Sequence, residues 1–128
     1  MAVAVIVELL GDAGNPIRYT CATAIPKGTI CKIASVRTAA ASDGDNVPFA
    51  GIAAMETDAT DTSISLYTCG LFELTSGAAF TAGEFLSINA ANTVTKVAAA
   101  DKIFSDVGVA LENTAGAAEQ AVVAVGVY

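Results

Sequence analysis

Turn-forming residues recur along the chain roughly every 8–12 residues, and they leave no room for a long amphipathic helix. Between the turns, apolar residues alternate with polar or small ones at the period of two that a half-buried strand requires. In residues 2–10, Val3, Val5 and Val7 fall on one face and Ala4, Ile6 and Glu8 on the other. The cluster Gly11-Asp12-Ala13-Gly14-Asn15-Pro16 ends that strand, and a second is predicted over 17–22. Pro26-Lys27-Gly28 turns the chain into a third over 29–34. Residues 37–47 are small and polar and predict an exposed loop ending at Pro48. Further strands are predicted over 49–55, 63–75, 84–89, 94–97, 107–112 and 120–128. Residues 78–82 suit a helical turn or a loop, and only 98–104 offers a second place for a short helix. The fold class that follows is all-β: a small barrel or sandwich of short strands with little helix.

A length of 128 residues and 54% hydrophobic types suit one compact domain with a core. That core is built of little volume. The chain has 27 alanines and 11 glycines against 5 Phe, 3 Tyr and no Trp. A domain that buries so little surface per residue gains by completing its core against a partner, which predicts assembly.

Six basic and 13 acidic residues leave a net charge of −7, which repels phosphate backbones and anionic lipid, so neither nucleic acid nor membrane is an expected partner. No uncharged apolar run reaches the roughly 18 residues of a membrane span. The start lacks the basic region and cleavage site of a secretory signal, and the chain is expected to stay in the cell that makes it. Cys21, Cys31 and Cys69, an odd number without CxxC spacing, read as buried thiols.

The absence of histidine removes Ser-His-Asp and Cys-His pairs and most transition-metal sites. Asp43-Gly44-Asp45-Asn46 begins like a calcium loop, but Val47 and Pro48 follow and no glutamate stands at loop position 12, so a solvated turn is expected. Glu56, Asp58 and Asp61 lie in a polar stretch that reads as a hairpin tip, without the apolar surroundings an acid/base carboxylate pair needs. Lys27-Gly28-Thr29 lacks the upstream glycine and the helix of a phosphate cradle. No catalytic residue, metal or cofactor is expected.

Glycine-anchored segments recur at a nearly constant offset. Ile25-Pro26-Lys27-Gly28-Thr29-Ile30 aligns with Phe80-Thr81-Ala82-Gly83-Glu84-Phe85 at 55, and Gly51-Ile52-Ala53-Ala54 with Gly108-Val109-Ala110-Leu111 at 57. Gly70-Leu71-Phe72 aligns with Gly126-Val127-Tyr128 at 56. These matches predict an N-terminal strand and turn over 1–24 and a β domain over 25–128, built of two related halves at about 25–73 and 80–128.

The ordered series Ile25-Pro26-Lys27-Gly28-Thr29, Val47-Pro48-Phe49-Ala50-Gly51-Ile52-Ala53, Thr68-Cys69-Gly70-Leu71-Phe72-Glu73, Ala82-Gly83-Glu84-Phe85-Leu86 and Val107-Gly108-Val109-Ala110-Leu111-Glu112 resembles the capsid cement, or head decoration, proteins of tailed bacteriophages. The resemblance covers about residues 17–128 and implies a β-clip or β-tulip core similar to that of the lambda-type decoration proteins. It implies a structural, non-catalytic role on the virion: binding the outer surface of the expanded icosahedral head after synthesis in the host cytoplasm. The implied partners are the major capsid protein, whose neighbouring subunits it would bridge, and further copies of itself, as homotrimers at three-fold and quasi-three-fold positions.

Residues 2–10 are longer and more apolar than the polar arms of many members. The alternating valines and the position before the Gly/Asn/Pro turn make Ala2, Val3, Val5, Val7 and Leu9 candidates for a capsid-binding arm that pairs with an edge strand of the shell protein or of a neighbouring copy, with a core strand as the alternative. Phe49, Leu71, Phe72 and Phe85, large apolar residues near turns, are the candidates for trimer contacts, with core packing as the alternative. Two other functions compete: a β-clip-type ligand-binding module and a tail or spike subunit.

Overall fold

The structure, a computed structural model, describes residues 4–8, 17–44, 47–89, 92–97 and 106–126. They form strands and turns with no helix among them. The strands are β1 (Val5–Glu8), β2 (Ile17–Thr20), β3 (Ile30–Ser35), β4 (Thr38–Ala41), β5 (Phe49–Ala53), β6 (Ser63–Tyr67), β7 (Gly70–Thr75), β8 (Phe85–Asn89), β9 (Thr93–Lys96), β10 (Asp106–Ala110) and β11 (Gln120–Val125). β2, β4, β3, β5 and β6 close into a small barrel, and the others form a six-stranded sheet in the order β1-β7-β11-β10-β8-β9.

Barrel and sheet share a wiring pattern. β4-β3-β5-β6 in the first has the same order as β9-β8-β10-β11 in the second, and β2 lies antiparallel to β6 as β7 does to β11. β2 closes the barrel through a parallel pair, Thr20 with Thr38, and Ser76 makes a parallel bridge to Val94 in the second unit. The turns match too. Gly28 N donates to Ala53 O at 2.9 Å and Gly83 N to Ala110 O at 2.7 Å. Each glycine sits at positive φ, 83° and 93°, where a side chain would be strained. The Thr57 hydroxyl accepts from Ile25 N at 3.0 Å and donates to Thr23 O, while that of Thr114 accepts from Phe80 N at 3.1 Å and donates to Ala78 O. A threonine suits both places because one hydroxyl satisfies a buried donor and a carbonyl together.

Two apolar cores result. The smaller fills the barrel with Cys21, Ile25, Cys31, Ala39, Ala50, Ala53, Ile64 and Leu66. The larger joins Ile30 and Ile52 of the first unit to Phe72, Leu86, Ile88, Val94, Val107, Val123 and others of the second, so the units share one interior. The Asn92 side chain reinforces the joint, its Oδ1 accepting from the buried Ile30 N–H. β1 spans it, with Ala4 N donating to Gly28 O at 2.7 Å and Val5, Ile6 and Glu8 pairing with Glu73, Phe72 and Leu71.

Two expectations need correction. The loop predicted over 37–47 contains β4, because Ala39 packs into the barrel and Arg37, at φ 49°, turns the chain back onto β3. The strand predicted over 63–75 is two strands. Thr68 and Cys69 separate them, and Gly70, at φ 135°, opens β7 and carries the chain from the barrel into the second sheet. Residues 78–82 form a loop pinned by the Phe80–Thr114 bridge. The possible helix at 98–104 lies outside the described residues.

Candidate interaction surfaces

β1 is the outermost strand on its side of the six-stranded sheet, and only β7 pairs with it among the described residues. An edge strand offers unpaired amide and carbonyl groups to an incoming strand. Of the candidate arm residues, Val5 and Val7 lie in β1 and Val5 is exposed. Ala2, Val3 and Leu9 lie outside the described residues. Beside β1 opens a cleft of about 340 Å³, walled by Ala4, Val5 and Tyr67 with the buried Ile52 and Phe72 at its floor, and Lys27 is its one charged lining residue among the described residues.

The four aromatic and leucine candidates separate. Phe72 is fully buried at the joint between the units, its ring 5.9 Å from that of Tyr67, and has no surface to offer a partner. Phe49 is half-buried and packs against the larger core. Leu71 is half-buried in β7 between Glu8 and Ala124. Phe85 is half-buried in β8 opposite Val109. Exposed apolar residues that sequence reasoning passed over are Ile17, Ile33, Val36, Met55 and Leu111. Only the turn residues beside Ile17 and Val36 hinted at exposure.

The polar groups are engaged locally. Lys32 Nζ donates to Asp43 Oδ1 at 2.8 Å, and this contact holds the exposed Asp43 carboxyl below its usual range. The Thr60 hydroxyl and N–H both donate to Asp58 Oδ1, at 2.6 and 2.8 Å, and lower that carboxyl in the same sense. Among the described residues, no three Cys, Asp or Glu side chains gather as metal ligands would. None of the three cysteines is in a disulfide.

Burial, with the neighbouring Cys21 adding to it, pushes the Cys31 thiol from its ordinary 9.0 up to about 12. A raised thiol pKa means stability that is complete below pH 9.0 and is lost as the pH rises toward about 12. In the native protein at pH 8, an aromatic disulfide reagent is expected to label the half-buried Cys69 and to reach Cys21 and Cys31 only on unfolding. Stoichiometric native labelling of Cys31 would contradict this environment.

A family model for the phage cement protein matches residues 12–127. The chain belongs to the phage cement protein family. The fold of this cement protein is also similar to the crystal structure of the head fiber gp8.5 N base of bacteriophage phi29. The TM-score is 0.59 at 12% identity, covering 98% of this chain and 94% of that one. No curated protein matches it. Family membership makes this cement protein a structural phage protein associated with the capsid.

Proposed function

We propose that the protein decorates the outer surface of the expanded icosahedral head and bridges neighbouring major capsid subunits, as homotrimers at three-fold and quasi-three-fold positions. The observation that carries this reading is the family match over 12–127. The net charge of −7 fits a surface that neither nucleic acid nor membrane attracts. The open edge of β1, with Val5 exposed beside the apolar cleft, is the surface we assign to the shell, through a strand added from the capsid subunit.

Co-sedimentation with undecorated expanded heads tests it. Saturable binding is expected, with binding by Val5→Asp weakened at least about tenfold because a carboxylate is desolvated at the contact. A folded wild-type chain that stays in the supernatant overturns the reading. A second reading, a base that carries a fiber, draws on the phi29 likeness. Electron microscopy of decorated heads separates the two, since a fiber base leaves projecting fibers on the shell and a cement layer leaves none.

A further inference from the structure

We propose that copies of this protein associate head to tail by repeating, between chains, the contact that joins the two units within one chain. The inference deepens the homotrimer element of the proposed function and rests on it. Its premise is the matched construction: residues of the first unit correspond to those 55 further on in β7 to β9 and 57 further on in β10 and β11.

At the internal joint the second unit contributes Phe72 and Ile88, both 0% exposed, and the Asn92 side chain that accepts from Ile30 N. Their counterparts in the first unit are Ile17, Ile33 and Arg37. Ile17 is 48% exposed and Ile33 40%, and Val36, at the hairpin tip beside Arg37, is 90% exposed. These three are half of the large exposed apolar side chains among the described residues, and Arg37 Nη2 reaches Arg18 O, next to Ile17, at 3.3 Å. The other side of the joint is the first unit's paired Ile30 and Ile52, each 1% exposed. Their counterparts, the paired Phe85 and Val109, are only half-buried. One chain thus carries an uncovered head on its first unit and a partly uncovered tail on its second.

Charge supports the same pairing. Asn92 sits beside Ile30, which follows Thr29; at the corresponding places stand Arg37 on the head and Glu84, preceding Phe85, on the tail. Arg37 of one copy therefore meets Glu84 of the next. Arg37 gives up its long bond to Arg18 O, and Glu84 keeps one oxygen on Thr81 N. A heterologous contact of this kind makes a ring when its rotation closes, and three copies place six units around one axis.

Sedimentation of the full chain, without capsids, tests the proposal. Wild type is expected at three times the 12.8 kDa protomer mass. Ile33→Asp, at a site already exposed, is expected at the protomer mass, and Met55→Asp, outside the contact, at the wild-type mass. Arg37→Glu and Glu84→Arg are each expected to weaken association at least about tenfold, and the double swap to restore it. Melting by circular dichroism establishes that each variant is folded. Wild type at the protomer mass at roughly millimolar concentration overturns the proposal. So does Ile33→Asp that still assembles, or a folded double swap that fails to recover. Head binding is a separate readout, so its failure strikes the cement function and leaves this result standing.

Discussion

Phe72→Ala is expected to destabilise the protein by about 3–5 kcal/mol, the range for removing a buried phenylalanine ring and leaving a cavity. The upper half of that range is expected because Phe72 is fully buried where the units share their core, with Tyr67 on one side and the β1 pairing on the other. Neither unit can close the gap without moving the other. A domain of this size has about 5–15 kcal/mol in total, so the loss is a large share of it. Urea unfolding followed by circular dichroism measures it. A shift below about 1 kcal/mol would mean that the two units do not depend on this contact.

Gly108→Ala is expected to be comparably damaging for a different reason. A Cβ built there falls on the carbonyl oxygen of Ala124 in the neighbouring β11, with Val125 Cα also within 3.0 Å. Gly108 pairs with Val125 in the middle of the second sheet, so the strands must separate and their ladder must break. Overpacking commonly costs about 1–3 kcal/mol, and a clash with backbone belongs at or above the top of that range. Gly83→Ala offers the contrast. Its Cβ meets nothing within 4 Å, so only the strain of a positive φ is felt. The same denaturation experiment on both variants should rank Gly108→Ala well below Gly83→Ala in stability; the reverse order would contradict the packing of β10 on β11.

The all-β class was legible because turn residues interrupt every apolar run before a helical stripe can develop. Boundaries failed where a residue's role depends on a distant partner. The alanines at 39–41 carry no strand signal of their own, and β4 exists because Ala39 fills the barrel and Cys31, Lys32 and Ile33 supply its ladder. Gly70 stood inside an alternating run, and its effect, redirecting the chain between sheets, comes from a φ that sequence does not display. The interaction surfaces were the least legible. Phe72 and Phe85 look alike in the sequence, yet one is fully buried in the larger core against Tyr67 while the other keeps part of its surface. Ile17 and Ile33 read as core residues by type and are exposed because no second unit lies over them.

The shared core also orders events during synthesis. The first barrel has every one of its strands once residue 67 has left the ribosome, but the covering for Ile30 and Ile52 is made of residues 72 onward, and the Ile30 amide waits for Asn92. Until then the nascent chain shows a greasy, half-satisfied flank. Release of the finished polypeptide is what retires that hazard, and a ribosome stalled between the two units would hold out a sticky intermediate to its neighbours on the same message.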